Sequence, residues 1–402
     1  MTEERVAVLH FASEPVRGGA EEHMLTLLRE LDRTRYRPML AAHLGLLELL
    51  RDDLPEEVAS FPVELRGPRD LAGARRFMRV LREQRVALVH SHMFQASRLA
   101  SPLAWASGVR AIIETPHIRE HWRKGWLKGN FVLDRLVGRF VSKYIAVSSA
   151  NAEYLLNEKR LPRDKVVVVR NGIAVEHFDP AHVAPPGMRD RIGLAHDAPV
   201  VLVLARLEPQ KGHRVLLNAW PAVLEAFPRA RLICIGEGAL RDELEAQANS
   251  LGIAPAVTFA GYQANVADWL ALADFTVLPS FFEGLPLAAI ESLAAGRPVI
   301  ASAVDGTSEV VIPEATGLLV PAGAAGPLTA AICRLLGSPE LAQKLGHAGR
   351  KLVAREFSQS RQVAETEAVY ETALGRRGRA RAIAAAGKSF TSCETLSGGS
   401  AN

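Results

Sequence analysis

Two glutamates, Glu283 and Glu291, flank the stretch of sequence with the most informative residue types. Between them, Pro286 suits the first turn of a helix, so the backbone amides of Gly284 and Leu285 are expected to be free. Glu291 lies among alanine, isoleucine and leucine residues, where a carboxylate needs a partner. It can accept two hydrogen bonds from a vicinal diol of a sugar, as the acidic residue of a Rossmann fold does with ribose. An internal ion pair of Glu291 is the alternative.

Two cations, Arg206 and Lys211, stand near the end of another predicted strand. Gly212 opens the next predicted helix, so both cations would lie beside a helix N-terminus. Cations in this position can neutralise a diphosphate. A solvated pair of surface cations is the alternative.

Paired glycines, Gly18 and Gly19, lie between the first predicted strand and the first predicted helix. They would let backbone amides approach an anion, although many such turns use two glycines for geometry alone. A full dinucleotide fingerprint GxGxxG is missing, since Gly236, Glu237 and Gly238 supply only its first half. This counts against a nicotinamide or flavin enzyme.

The elements that must position these residues alternate between short β-branched runs and helical patterns, which indicates parallel sheets buried on both faces. The predicted strands are residues 6–10, 38–42, 87–91, 111–114, 144–147, 166–169, 200–204, 232–235, 257–259, 275–278 and 299–301. The clearest predicted helix is 71–84, where arginines lie opposite apolar residues. We therefore predict an α/β chain of two Rossmann-like domains whose parallel sheets face each other across a cleft, with ligands beyond the carboxyl ends of the strands.

The predicted domains are residues 1–180 and 188–358, joined by a linker rich in proline and glycine at 179–187. A helix at 359–374 is predicted to pack back toward the N-terminal domain. The basic tail, 375–402, has no apolar periodicity and is predicted to be disordered.

Composition sets outer limits on the function. The 402 residues are 48% hydrophobic and 23% charged, as in ordinary globular chains of two to three domains. Three widely spaced cysteines exclude a disulfide framework and a CxxC pair. The N-terminus does not resemble an export signal and no apolar run approaches about 20 residues, so we expect a cytoplasmic protein, at most peripheral on the membrane. Residues 1–170 carry a net charge of +7 and residues 171–402 of −3.

With these motifs in place, the sequence up to about Leu374 resembles the retaining glycosyltransferases of family 4, which have the GT-B fold. The most specific part is residues 283–300, with two glutamates separated by seven residues and then Ala-Gly-Arg-Pro-Val. Supporting motifs are residues 18–21, 115–117, 171–173, 206–212, 236–238, 259–261 and 317–321. Ala205 and Ala174 depart from the family's usual glycine and aspartate.

The resemblance implies a nucleotide-sugar site in the C-terminal domain and acceptor binding by the N-terminal domain. Arg206 and Lys211 would hold the donor's diphosphate, helped by the amides of Gly284 and Leu285. Glu291 would bind the ribose diol.

Four residues are expected to be catalytic through this resemblance: His117, Glu283, Arg206 and Lys211. Glu283 would contact the transferred sugar, and His117 would bond a sugar hydroxyl from across the cleft. Gly19 would bring backbone close to the donor phosphate or the acceptor. The sequence contains no Asp-x-Asp to recruit a divalent ion, so no metal and no cofactor are expected, and the two cations would replace the metal.

The segment 119–143 combines seven cations with Trp122, Trp126, Phe131 and Phe140. This mixture suits an anionic membrane surface and favours a glycan or glycolipid acceptor. Alternatively, the aromatic residues pack beneath a loop at the acceptor cleft. No nucleic-acid module is recognisable.

We therefore predict a metal-independent retaining transferase that moves a hexose from a nucleotide-diphosphate sugar to a lipid-linked or polysaccharide acceptor in bacterial-type surface glycan biosynthesis. The alternatives are a nucleotide-sugar epimerase of the same architecture and a non-catalytic nucleotide-sugar-binding protein. The resemblance is compatible with UDP, GDP and ADP sugars.

Overall fold

The computed structural model describes residues 5–120 and 131–375, which form two parallel β-sheets of seven and six strands. The first sheet contains β1 Val6–Ala12, β2 Tyr36–Ala42, β3 Ala59–Pro62, β4 Leu88–His92, β5 Ala111–Thr115, β6 Lys143–Ala146 and β7 Val166–Val168. The second contains β8 Val200–Leu204, β9 Arg231–Ile235, β10 Val257–Gly261, β11 Phe275–Leu278, β12 Val299–Ser302 and β13 Gly317–Val320. The predicted fold class of two Rossmann-like sheets is confirmed.

Helices cover both faces of each sheet. Those associated with the first sheet are α1 Gly19–Glu30, α2 Leu44–Leu49, α3 Leu71–Glu83, α4 Phe94–Ala106, α5 Val132–Val137 and α6 Ser149–Glu153, which continues as the π-helical turn Tyr154–Glu158. The later helices are α7 Met188–Arg191, α8 His213–Ala226, α9 Arg241–Ser250, α10 Val266–Leu272, α11 Leu287–Ala294, α12 Thr307–Val310, α13 Ala325–Leu336, α14 Pro339–Glu356 and α15 Gln359–Ala373.

Local sequence explains the best-predicted elements. The central strands β1 and β8 are buried along their whole length, as their continuous apolar runs predict. Helix α3 begins after Asp70, whose carboxylate accepts a hydrogen bond from the Gly73 amide. It buries Phe77, Val80 and Leu81 and leaves its arginine side toward solvent, as its periodicity predicts.

Two edge strands, β3 and β13, were not predicted. Strand β3 pairs only with β2, and most of its residues are exposed, including Pro62. Strand β13 pairs only with β12, is four residues long and begins with Gly317. Edge strands tolerate exposure, proline and glycine, so β3 needs no apolar run. Strand β13 is mostly buried, but its glycine leaves an apolar run of only three residues.

The last helix, α15, packs against the first sheet although it follows the second in the chain. The Tyr370 hydroxyl lies 2.7 Å from His90 Nδ1. Arg35 and the Tyr36 hydroxyl both donate to the Glu371 carboxylate. These contacts attach helix α15 to strand β4 and to the start of strand β2 in the N-terminal sheet.

Part of the predicted aromatic membrane segment lies outside the described residues, including Trp122 and Trp126, as does the predicted disordered tail from residue 376. Phe131 is buried in the first hydrophobic core, so it packs inside the domain rather than toward a surface. Phe140 is half-buried with its ring centroid 5.4 Å from that of Trp105. No described helix is long and apolar enough to cross a membrane.

Candidate active site

Each sheet has one place where the order of its strands reverses, between β1 and β4 in the first and between β8 and β11 in the second. Connections diverge there to opposite faces and leave a crevice at the carboxyl ends of the strands. A cavity of about 310 Å³ lies at these ends and is lined from both sheets. It brings together seven predicted site residues: Gly19, His117, Arg206, Lys211, Glu283, Gly284 and Leu285.

The charged centre of this cavity is an ion pair between Lys211 and Glu283. Lys211 Nζ donates to Glu283 Oε1 at 2.7 Å, and the Ser280 hydroxyl donates to the same oxygen at 2.7 Å. Glu283 is only 5% exposed. Its other oxygen, Oε2, accepts no hydrogen bond from a described residue, so this oxygen remains available to a ligand hydroxyl.

Close backbone packing fixes the loops that carry this pair. Gly212 has φ +69°, and a Cβ there would lie 2.0 Å from the Pro279 carbonyl oxygen, so only glycine fits. The Gln210 side-chain amide donates to the Phe282 carbonyl, and the Phe281 amide donates to the Gln210 carbonyl, both at 2.8 Å. Lys211 is therefore held against the loop that carries Glu283.

The amides of Gly284 and Leu285 have no hydrogen-bond acceptor among residues 5–120 and 131–375, and both residues line the cavity. Helix α11 begins at Leu287, so Pro286 is its N-cap rather than part of its first turn as predicted. Free amides beside a helix N-terminus can bind anions. A Cβ on Gly284 would lie 1.7 Å from the His117 carbonyl oxygen, so the two halves of the molecule meet here backbone to backbone.

Arg206 is exposed in the cleft and forms no ion pair with a described residue. Its Nε would lie 3.9 Å from a Cβ on Gly18, so it faces the first loop of the N-terminal domain. Glu21 lies in the same cavity, and burial raises the pKa of its carboxyl to about 7, although nearby amides and Arg206 favour ionisation. One cation therefore remains unneutralised at the entrance.

His117 is 5% exposed at the N-terminal side of the cavity. Its Nε2 lies 3.3 Å from His92 Nδ1. Burial lowers the pKa of the His117 imidazole well below its usual value, so the ring is neutral at physiological pH. A neutral imidazole can exchange a hydrogen bond with a sugar hydroxyl.

Two family models match the two halves of the chain. Residues 17–177 match the model described as Glycosyltransferase Family 4, and residues 187–352 match that of Glycosyl transferases group 1. A D-inositol 3-phosphate glycosyltransferase of Thermobispora bispora is 31% identical over 82% of this chain and 78% of its own length. The chain belongs to glycosyltransferase family 4.

A further relative and a solved structure are similar to this chain. A GDP-mannose-dependent α-(1-6)-phosphatidylinositol monomannoside mannosyltransferase of Mycolicibacterium smegmatis is 29% identical over 84% of this chain and 90% of its own. Anabaena HepE, solved in complex with UDP-glucose, superposes with a TM-score of 0.79 at 18% identity, covering 92% of this chain and 99% of its own. The GT-B fold of this family 4 glycosyltransferase is thereby confirmed.

The structure also reveals cavity residues that sequence reasoning missed. Glu21, His92, Met93 and Gln210 all line it. Met93 has φ +69°, a conformation that costs about 1–3 kcal/mol for a residue other than glycine and often marks a functional site. His92 ends strand β4, so its position at a carboxyl end was the signal available in the sequence.

Glu291, the remaining predicted site residue, lines an adjoining cavity of about 970 Å³ together with Gly19, Arg206 and the exposed Tyr262. No ion pair joins Glu291 to a described residue, so the structure does not support the internal ion pair. Burial, helped by the charge of Glu22, raises the pKa of the Glu291 carboxyl to about 7. The family 4 cleft thus continues from a charged centre into a second cavity that contains Glu291 without an ion-pair partner among the described residues.

This pKa predicts a pH-dependent gain in stability when Glu291 is replaced by glutamine. A carboxyl whose pKa is raised on folding stabilises the protein most below its unfolded pKa, and the contribution is lost as pH rises to about 7. Glu291→Gln should therefore stabilise the ligand-free protein above pH 7, by up to about 3 kcal/mol at ~1.4 kcal/mol per pKa unit. The difference should nearly vanish near pH 4.5.

Thermal unfolding of both proteins across this pH range measures the effect. Glu340→Gln, at an exposed position in the first turn of α14, is the matched control and should show no comparable gain. An equal gain at every pH would contradict the assigned cause.

Proposed function

We propose that this glycosyltransferase is a retaining, metal-independent enzyme. It moves a hexose from a nucleotide-diphosphate sugar to a lipid-linked or polysaccharide acceptor of a bacterial-type surface glycan. The observation that carries the proposal is the ion pair between half-buried Lys211 and buried Glu283, 2.7 Å apart, in a cavity shared with Arg206 and His117. This pair places a cation that can bind phosphate, Lys211, beside a carboxylate that can bind sugar hydroxyls, Glu283.

Charge development in the reaction matches these side chains. Breaking the bond from the anomeric carbon to the diphosphate oxygen leaves negative charge on the leaving group and positive charge on the sugar ring. Arg206, Lys211 and the free amides of Gly284 and Leu285 would stabilise the diphosphate most in the transition state. In retention, the acceptor oxygen bonds to the same face and its proton passes to the departing phosphate.

The remaining roles follow from position. The free Oε2 of Glu283 and the neutral ring of His117 would orient sugar hydroxyls from opposite sides of the cavity. Glu291, in the adjoining cavity, would accept the ribose hydroxyls. The backbone of Gly19 borders both cavities and would lie beside the donor phosphate or the acceptor.

Relatives support a nucleotide-sugar donor but differ in its identity. The mycobacterial relative is named as GDP-mannose-dependent, and HepE was solved with UDP-glucose. Thermal shift with UDP, GDP and ADP should therefore reveal one preferred base. A ligand at 100 times its dissociation constant stabilises the folded state by about 2.7 kcal/mol.

The preferred base selects the donors for a turnover assay in the presence of EDTA, with the anomeric configuration of product read by NMR. Retained configuration and release of nucleoside diphosphate would support the proposal. Inversion would refute the retaining mechanism, and a requirement for added divalent metal would refute metal independence. Conversion of donor without acceptor would indicate an epimerase, and binding without turnover a binding protein.

A surface on helix α5 supports the proposed contact with an anionic membrane. Val132, Leu133 and Leu136 are 51%, 45% and 46% exposed. They lie near Arg139 and Arg160, both exposed. Exposed aliphatic side chains among cations suit the interface of a bilayer that contains anionic lipid.

Replacing Leu133 and Leu136 together by serine should weaken binding to phosphatidylglycerol-containing vesicles about 5- to 30-fold, since partial burial of two leucines contributes roughly 1–2 kcal/mol. Cosedimentation at low and high salt measures this. Val183→Ser, which removes an 81% exposed valine elsewhere, should leave binding unchanged. Equal vesicle binding by the unmodified protein, the double serine variant and Val183→Ser would rule out this surface as a membrane contact.

A further inference from the structure

Three histidines converge at the N-terminal wall of the cleft: His23 on α1, His92 at the end of β4 and His117 beyond β5. One ring nitrogen from each lies within 4.8 Å of the other two. All three side chains are buried, yet His92 and His117 line the cavity. The cluster therefore has a route to solvent through the cleft.

The spacing of two of these nitrogens suits a shared metal ion. His92 Nδ1 and His117 Nε2 are 3.3 Å apart, longer than a typical hydrogen bond to nitrogen. Two imidazole nitrogens that each lie 2.0–2.1 Å from a tetrahedral Zn²⁺ are separated by about 3.3–3.4 Å. The observed distance matches the edge of such a site.

His23 supplies an unpartnered nitrogen. Its Nε2 is buried and has no hydrogen-bond partner among the described residues. Its Nδ1 lies 2.9 Å from Asn171 Oδ1, and Asn171 Nδ2 donates to the Leu285 carbonyl, which turns Oδ1 toward the ring. The Gln362 amide nitrogen, 3.1 Å from Nδ1, would require the opposite tautomer. The shorter contact favours the proton on Nδ1, which leaves the lone pair of Nε2 free.

His92 has a comparable outer partner. Its Nε2 lies 3.0 Å from His10 Nδ1, which can accept the proton that a His92 bound through Nδ1 must carry on Nε2. Metal-bound histidines usually donate their other ring N–H to an acceptor in this way. His23 and His92 are therefore each held through one ring nitrogen by a group outside the cluster, which leaves His23 Nε2 and His92 Nδ1 as their candidate ligand atoms.

A second group, His10, His90 and His92, is a weaker candidate. Both ring nitrogens of His90 already have partners at 2.7 Å, the hydroxyls of Tyr370 and Thr115. His10 and His90 are also completely buried and border no described cavity. His10 Nε2 is also unpartnered, but only His92 of that second group lines the cavity, whereas both His92 and His117 of the first group do.

We propose that His23, His92 and His117 bind one Zn²⁺ or related transition-metal ion, with the fourth coordination position open to the cleft, and that this ion inhibits the enzyme. Bound metal would occupy His117 Nε2 and fix the ring away from its role with the sugar. The inhibition rests on the proposed transferase function, whereas the binding does not.

The binding test is titration of the metal-free full-length chain with Co²⁺, followed by displacement with Zn²⁺. One equivalent should give the visible absorption of tetrahedral Co²⁺. His23→Gln should weaken this binding by more than the roughly 10- to 100-fold loss that follows removal of an outer partner. His90→Asn and the exposed His347→Gln are controls that should keep it. Circular dichroism checks the fold, and His92→Gln replaces His23→Gln if the latter does not fold.

The activity test adds Zn²⁺ to the transferase assay and then EDTA. Activity should fall in step with occupancy and return with EDTA, and His23→Gln should resist inhibition. No tetrahedral spectrum, or unchanged binding in a folded His23→Gln, overturns the site. Loss of binding in a folded His90→Asn assigns the metal to the other group and also overturns it. Occupancy without inhibition refutes only the inhibitory role, and absence of any transferase activity leaves the binding result standing.

Discussion

Replacing Lys211 by methionine is expected to lower kcat/KM by about 10²- to 10³-fold. This is the usual cost of losing one preorganised group that stabilises transition-state charge. Lys211 Nζ bonds Glu283 and lies in the same cavity as the free amides of Gly284 and Leu285. Methionine keeps most of the side-chain volume and removes the charge, so the loss would be electrostatic.

Arg214→Met is the matched control for this variant. Arg214 lies three residues away on α8, but its partner is Glu243 and both side chains are more than half exposed. Exposed ion pairs contribute about 0–1 kcal/mol, so activity should remain close to that of the unmodified enzyme. Steady-state kinetics with the preferred donor gives both values.

The same variant also tests how much the Lys211–Glu283 ion pair contributes to the stability of the fold, separately from its contribution to catalysis. Removing one partner of a buried ion pair can cost about 3–5 kcal/mol because the other charge is left uncompensated. Lys211→Met should therefore unfold at a lower temperature, while the double variant with Glu283→Gln should recover part of that stability without recovering activity. Full turnover in folded Lys211→Met would remove the phosphate-binding role assigned to this lysine.

The sequence was sufficient to predict which candidate site residues lie in the loops that directly follow strands. Arg206 follows β8 and Glu283 follows β11, and the carboxyl ends of neighbouring parallel strands meet at one edge of a sheet. The apolar runs of the central strands made that edge predictable. The edge strands β3 and β13 were missed because β3 is mostly exposed, and because β13, although mostly buried, has only three apolar residues after Gly317.

Contacts between distant parts of the chain were not predictable in the same way. Whether Lys211 bonds Glu283, 72 residues away, depends on the close approach of Gly212 to Pro279. The histidine cluster gathers residues from α1, β4 and the loop after β5, and no periodicity in the sequence joins them. The sequence left open whether Phe131 faces a membrane or packs beneath a loop, because composition does not reveal which residues beside a short helix are buried.

The most sensitive position for the arrangement of the two domains is predicted to be Gly284. A Cβ there would lie 1.7 Å from the His117 carbonyl oxygen, and backbone cannot rotate away as a flexible side chain can. Gly284→Ala must therefore push apart the two loops that carry Glu283 and His117. Overpacking of this kind costs about 1–3 kcal/mol, and a displacement of about 1 Å at reacting groups can cost about 10²-fold in rate.

Gly326→Ala separates this effect from the general consequences of replacing glycine. Gly326 lies in the first turn of α13, and a Cβ there would meet nothing within 4 Å. That change should be neutral or stabilise the protein by up to about 1 kcal/mol. Kinetics and thermal unfolding are measured for both variants below their unfolding transitions. If Gly284→Ala kept normal kcat/KM and stability, the contact between Gly284 and His117 would not constrain the active enzyme, and an open arrangement of the two domains would have to perform the reaction.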